Sequence, residues 1–328
     1  MRYLGWLLVL ALIAAAAFGF VAYVPYGPNT ETFVRILPGT GSAAIASKLE
    51  QAGVVRSRFG FDALREIKGG TLKAGEYRFD HPATMGEVYA RLHRGDVYTV
   101  AVSIPEGFNL FEIATAVQAA GLGSAKDFLA TARQNTALIA AWSPNAQSLE
   151  GYLFPETYRF GRHTTQLEIL MAMVKRFRQT KQELGLEGDV ARTVTMASLV
   201  EKEVKQDNER PLVAGVFENR LRVGMPLATD PTVIYAALLA GRTEGTGVKT
   251  TIFASDLKAD SAYNTYKHAG LPPGPICSPG VASLRAAMHP AKTDYLYFVS
   301  DAAGHSKFSV DLKEHASQVQ AYRQAQRR

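Results

Sequence analysis

The chain has 328 residues, 36 Lys and Arg against 30 Asp and Glu, 47% hydrophobic residues and a formal net charge of +6. These proportions exclude a disordered chain, a collagen and a disulfide scaffold, and at about 150 residues per domain the length predicts about two domains. A charge this small, with acids interspersed, does not imply nucleic-acid binding, and the single cysteine, Cys277, forms neither an intramolecular disulfide nor a zinc knuckle.

The first element is apolar. Tyr3 to Val24 is a run of 22 residues without a charge. As a helix it spans ~30 Å, one hydrocarbon core. Arg2 and the amino terminus are positive, whereas Pro25 to Val34 contains no Lys or Arg. The positive-inside rule then places Met1 in the cytoplasm and the body outside. Trp6 and Tyr23 stand near the two ends, where interfacial aromatics belong. A cleaved signal peptide is the competing reading, with Ala14 to Ala17 as its small residues. Both readings export the body across the inner membrane. The anchor is assigned to residues 1–25 and the body is expected in the periplasm, on a single-pass protein.

The next segment repeats. Ile36 to Val54 matches Pro105 to Leu122 at an offset of 68, aligning Gly39 with Gly107, Ile45 with Ile113, Ala46 with Ala114, Leu49 with Val117 and Gly53 with Gly121. Each copy reads as a strand, a glycine turn, an amphipathic helix and a glycine stop. A second match pairs Tyr77-Arg78-Phe79 with Tyr158-Arg159-Phe160. Each triplet leads into Thr-x-x-Glu, at Thr84/Glu87 and Thr165/Glu168, the spacing of a capping box. Residues 30–98 therefore form one predicted module, and 99–328 a larger domain in which 99–180 is an enlarged second copy. The first module resembles a LysM-like β-α-β unit, which implies glycan binding; a structural spacer is the alternative. The fold class expected is α+β: a transmembrane helix, the LysM-like module and a mixed α/β catalytic domain.

The second half carries the candidate chemistry. Thr195 to Val204 (TMASLVEKEV) reads as a helix with Met196, Ala197, Leu199, Val200 and Val204 on one side. On this wheel Glu203 projects at the edge of the apolar arc and Glu201 turns toward solvent. A carboxyl group at an apolar margin is desolvated, and its raised pKa suits a general acid. A solvated Glu-Lys-Glu face is the competing reading. Beyond it, polar residues interleave with tyrosines and Pro/Gly turns: Phe217 to Leu221, Gly224 to Tyr235, Tyr263 to Tyr266, Gly270 to Ile276 and His289 to Phe298. Such a mixture suits a carbohydrate groove, in which rings cover the C–H faces of sugars. It also suits ordinary β-structure.

Taken together, the anchor, KAGEYRF at Lys73–Phe79, LEGYLFPETY at Leu149–Tyr158, the Glu201-Lys202-Glu203 helix, ENRL, ATDPTVIY, YNTY, GLPPGPI and HPAKTDYLYFV resemble the endolytic murein transglycosylases, the YceG-like (MltG) family. The resemblance covers nearly the whole chain. It implies a lyase that cuts peptidoglycan inside the glycan strand, between N-acetylmuramic acid and N-acetylglucosamine, leaving 1,6-anhydro ends. It also implies that the second glutamate, Glu203, is catalytic. The groove is then expected from Tyr152, Phe154, Thr157, Asn219, Arg220, Thr229, Asp230, Tyr263, Asn264, Tyr266, Leu271 and Pro272. The family further implies proximity to peptidoglycan synthases.

Two positions depart from the family pattern. Val204 stands where a Ser or Thr often follows the glutamate, and Ser278 replaces the Asn that follows GLPPGPI. The first removes a hydroxyl that would orient the acid. Two alternatives to the lyase follow: a glycan-binding scaffold with weakened catalysis, and a hydrolytic muramidase pairing Glu203 with Asp230. The seven histidines show no ligand spacing, so neither a metal nor another cofactor is expected. A faint P-loop likeness at Gly241–Thr251 reads instead as a hairpin loop.

Overall fold

The computed structural model describes residues 2–241, 252–300 and 305–325. The hairpin expected at Gly241–Thr251 falls almost wholly outside them. The chain divides into two compact units, residues 1–100 and 101–328.

The first unit opens with α1 (Arg2–Tyr23), followed by β1 (Thr32–Ile36), α2 (Ser42–Gln51), α3 (Arg58–Lys68), β2 (Gly75–Phe79) and α4 (Met85–Arg94). Gly5 to Tyr23 is long and apolar enough to cross a membrane. β1 and β2 pair antiparallel, with Val34 opposite Tyr77 and Thr32 opposite Phe79. Side chains alternate across a strand, so Val34, Ile36, Tyr77 and Phe79 share the buried face. They meet Ile45 and Leu49 of α2, Phe61 and Leu64 of α3, and Met85, Val88 and Leu92 of α4 in one core.

The second unit holds β3 (Val100–Ser103), α5 (Leu110–Ala119), α6 (Ala125–Gln134), a short 3-10 turn (Thr136–Ile139), β4 (Thr157–Phe160) and α7 (Gln166–Leu184). β3 and β4 pair as a two-stranded sheet. The strand, helix, helix, strand, helix order of the first unit thus recurs. Its local causes recur too. Gly39 and Gly107 sit at φ +81 and +78 in the turns, and Gly53 and Gly121 at +68 and +74 after the helices, where a side chain would be strained. Both Thr-Glu capping boxes form, at the N-termini of α4 and α7, and Asn109 with Glu112 makes a third on α5.

The rest of the unit is α8 (Val190–Glu203), α9 (Arg210–Arg222), α10 (Asp230–Leu239), α11 (Ala254–Leu257), α12 (Val281–Met288), the antiparallel hairpin β5 (Tyr297–Ser300) and β6 (Ser306–Ser309), and α13 (Leu312–Ala325). The central helix α8 starts five residues before the expected Thr195, because the Asp189 side chain accepts the Arg192 N–H and caps it. Nor is α8 amphipathic as expected. Val194 through Val200 are all buried, the pattern of a helix enclosed by its neighbours.

Family-like motifs brace α8. The Ile276 N–H donates to Ser198 Oγ at 3.1 Å and Cys277 Sγ donates to the Ser198 carbonyl at 3.3 Å. Gly151 lies so close to Pro275 that a Cβ there would sit 2.4 Å from the proline ring. Lys202 Nζ donates to the Gly107 carbonyl at 3.1 Å, tying the helix to the glycine turn of the repeat.

Candidate active site

Glu203 is the last residue of α8, and Val204 behind it is already extended, at φ −129 and ψ 141. Val204 is therefore a helix cap rather than the next position on the apolar wheel. The carboxyl group of Glu203 opens on a cleft of about 430 Å³ lined by Arg220, Met225, Leu227, Ala228, Thr229, Asp230, Tyr266, Tyr297, Phe298, Leu312 and His315. Burial pushes its pKa up to about 7, the Asp230 charge adds to the rise, and the Thr229 hydroxyl and Arg220 oppose it. The C-terminal end of a helix carries partial negative charge, which also disfavours a carboxylate there.

Each wall has a local cause. Arg220 comes from α9; its Nε donates to the Leu296 carbonyl at 2.7 Å and its Nη1 to the Leu227 carbonyl at 2.6 Å. The guanidinium lies 5.5 Å over the Tyr297 ring. The YNTY motif builds the opposite wall. Asn264 Nδ2 donates to the Leu257 and Ala259 carbonyls and fixes its own loop. Thr265 grips the 228–229 turn: the Ala228 N–H donates to its carbonyl at 3.1 Å and the Thr229 N–H to its Oγ1 at 3.0 Å. Tyr266 donates its phenol proton to Asp230 Oδ1 at 2.6 Å. Among the described residues Ala228 is the one non-glycine with positive φ, at +47. That conformation is strained for alanine, and the Thr265 bonds hold it.

Two residues lining this cleft each hold a buried polar atom without a well-formed hydrogen bond, Thr229 Oγ1 and His315 Nδ1. The His315 ring stacks on Tyr297 at 5.2 Å, and burial followed by the Arg220 charge pushes its pKa down, so it is neutral at pH 7.

Of the thirteen residues expected at the site, Glu203, Arg220, Thr229, Asp230 and Tyr266 line this cleft. The others do not. Tyr152 is fully buried, ringed by Trp142 and Phe177, and Phe154 is buried beneath the Arg176 guanidinium. Thr157 is an exposed strand residue bonded to Ser103. Asn219 points away and donates to the Thr293 and Tyr295 carbonyls. Tyr263 packs 5.1 Å from Tyr235, Asn264 ties its loop, and Leu271 and Pro272 belong to the segment that leads into the brace on α8. Tyr297, Phe298 and His315, all from the C-terminal hairpin and helix, were not expected; only the aromatic run at 295–298 hinted at two of them.

Glu201 overturns an expectation. It does not face solvent. Its side chain is 6% exposed, pairs with Arg210 Nη1 at 3.0 Å and accepts the Gly280 N–H at 2.9 Å. A second carboxyl, Glu150, is also pushed up to about 7 by burial, against hydrogen bonds from the Leu110 and Gly151 N–H groups. Glu150 lies outside the cleft. Among the described residues, Glu203 is the cleft-lining carboxyl group whose pKa is raised.

Comparison with known proteins shows the family to which the chain belongs. Residues 34–321 match the model of the YceG-like family. The chain is 36% identical over 315 residues to a Bacillus subtilis (strain 168) protein named endolytic murein transglycosylase, covering 90% of this chain and 85% of that one. It is 31% identical over 357 residues to a protein of the same name from Streptococcus pneumoniae serotype 2, covering 96% of this chain and 64% of the relative. A crystal structure of a yceG-like protein from Listeria monocytogenes matches with a TM-score of 0.57 at 34% identity, over 88% of this chain and 99% of that one.

Proposed function

Because this chain belongs to the YceG-like family, we infer that it is an endolytic murein transglycosylase, a lyase acting on peptidoglycan. The observation that carries the mechanism is the Glu203 carboxyl: desolvated, poised near neutral pH, and open to a cleft walled by Tyr266, Tyr297 and Phe298. Protonated Glu203 donates to the oxygen of the MurNAc–GlcNAc bond. The C1–O bond breaks and an oxocarbenium-like centre forms at C1. The muramic C6 hydroxyl then attacks C1 and gives its proton to the Glu203 carboxylate, which is restored to the acid. No water is consumed, and the product carries a 1,6-anhydro ring. Hydrolases instead bring a second carboxylate and a water. The internal nucleophile is already placed, which removes much of the entropy barrier.

Asp230 is the second carboxylate at hand, and the Tyr266 phenol occupies one of its oxygens. We assign it to orienting the sugar and raising the Glu203 pKa. Thr229 takes the part of the hydroxyl missing at Val204. Arg220, Tyr297 and Phe298 complete the substrate wall. The first unit is assigned to glycan holding as a LysM-like module, α1 to a single span of the inner membrane with the body in the periplasm, and synthases to the neighbourhood of the catalytic domain.

Mass spectrometry of glycan strands digested by the intact protein tests the reaction. Anhydro ends are expected. Reducing ends would mean a muramidase, and no new ends a binding scaffold. Intact mass tests the anchor: loss of the residues up to Ala16 or Ala17 would make it a signal peptide.

Thr229→Val tests the orienting hydroxyl. The hydroxyl favours the ionised carboxyl, so its loss should move the alkaline limb of the rate profile to higher pH while lowering the maximum. An unchanged profile would reduce Thr229 to a wall residue. Glu150→Gln should leave the product ends unchanged, since that carboxyl lies outside the cleft.

A further inference from the structure

The C-terminal end of α1 does not stand free. Phe18 and Val21 pack on the core of the first unit, and Ala22 is 3% exposed. One close approach is at Gly60, near the start of α3: a Cβ built there would lie 3.0 Å from Val21 Cγ1 and 3.2 Å from Met85 Cε. Val21 is three residues short of Val24, where the apolar run ends. At 1.5 Å per residue that is ~5 Å, so the first turn of α3 sits slightly below the level at which the apolar run ends.

At that level α3 presents two apolar faces. Phe61 and Leu64 fill the core. On the other side Phe59, Ala63 and Ile67 follow one another at i, i+4 and i+8, with Phe59 72% and Ile67 74% exposed. Residues at that spacing share one helix face. Cations and rings flank the stripe where α1 ends. The Arg58 guanidinium lies 4.7 Å over the Phe59 ring, and that of Arg56 lies 4.9 Å over Phe20 and 4.6 Å over Tyr26. Lys68 closes the far end of α3. Two acids stand beside the stripe, Asp62 next to Ala63 and Glu66 next to Ile67, and Glu66 is paired with Arg65. Apolar bodies with cationic and aromatic rims suit the headgroup boundary of a bilayer, and the cations favour anionic lipid.

We infer that the Phe59–Ala63–Ile67 stripe of α3 seats in the headgroup–acyl boundary of the membrane that α1 crosses, so that the first unit lies on the bilayer surface. This rests on α1 being a retained span. Its continuity with that span singles out lipid as the occupant, ahead of a second copy or another protein.

The test uses the full chain in vesicles of phosphatidylethanolamine and phosphatidylglycerol. Cys277 is fully buried, so single cysteines introduced elsewhere take the label. An NBD fluorophore is attached in Phe59→Cys, Ile67→Cys, Leu12→Cys in the span, and Ala44→Cys on α2, whose side chain is exposed. Labels at 12, 59 and 67 should emit blue-shifted and lose fluorescence to doxyl-labelled lipid, and the label at 44 should do neither. A water-like signal at 59 and 67 with a lipid signal at 12 overturns the proposal. So does a blue shift at 59 and 67 that lipid-borne quencher leaves unchanged, which would indicate a protein occupant. A water-like signal at 12 overturns the span itself and is thereby distinguished.

Discussion

Replacing Glu203 by Gln should abolish anhydro-ended products and, above pH 7, make the folded protein more stable. The two effects share one cause. The amide keeps the shape of the side chain but neither gives nor takes the transferred proton, so the rate should fall by at least ~10²-fold from the acid–base contribution alone. For stability, the direction of the pKa shift decides the sign. The carboxyl holds its proton to about 7 in the folded protein, against an ordinary value of 4.5. Between those values the folded state binds more protons than the unfolded state, so stability falls as pH rises through that window. Above it the folded protein has lost up to ~3 kcal/mol, since one pKa unit corresponds to about 1.4 kcal/mol. Gln does not titrate and escapes the loss. Urea unfolding at pH 5 and pH 8 checks this: the advantage of the variant should be large at pH 8 and small at pH 5. A variant less stable than the natural protein at pH 8 would mean that the carboxylate is welcome in its pocket, and the acid assignment would fail with it.

The parts of this molecule that rest on local chemistry were legible in its sequence. Gly39 and Gly107 are needed because their turns have positive φ, and Thr84 and Thr165 cap helices with their own glutamates. Such devices involve residues within a turn of each other, and spacing exposes them. The apolar helix at the N-terminus is legible for the same reason: length and composition are enough. The direction of a side chain is not. Asn219 and Asn264 are the residue types that bind sugars, yet both are spent on backbone carbonyls of neighbouring segments. Tyr152 and Phe154 lie in a motif that reads as functional, but they pack around the core.

The missed half of the cleft has a related explanation. His315 is a lone histidine in a polar helix, with no spacing to mark it, and it lines the same cleft as Glu203 only because the β5–β6 hairpin is followed by α13. The Arg220 bond to the Leu296 carbonyl is part of what places that hairpin. What the site needs is therefore split between a helix end, a strained turn and a distant hairpin. No single window of sequence contains it.

Glu201 shows the limit of the helix wheel most clearly, and it yields the second large effect. A wheel gives an angle and says nothing of what arrives there from elsewhere. Arg210, at the start of the next helix, reaches back into the space beside Glu201, and both side chains are buried, at 7% and 6% exposure. Ser283 of α12 accepts from the same guanidinium, and the Gly280 N–H donates to the same carboxylate. Removing one partner of a buried pair leaves an uncompensated charge and destabilises by 3–5 kcal/mol as a rule of thumb. Two neighbours temper that here. Asp207 touches Arg210 at 3.0 Å, but at 78% exposure its charge is screened by water. Glu106 is closer to the need: burial and then the Glu201 charge hold its pKa above the ordinary range, so loss of Glu201 lets it ionise toward Arg210. Glu201→Gln should therefore destabilise near the low end, about 3 kcal/mol, while the folded fraction still makes anhydro ends. The double variant Glu201→Gln/Arg210→Met removes the orphaned charge and should recover much of the loss, because no uncompensated buried charge is left at the pair. Urea midpoints of the three proteins, read with product analysis below the transition, measure both halves. A Glu201→Gln protein that is as stable as the natural one but inactive would move Glu201 from the frame of the site into its chemistry.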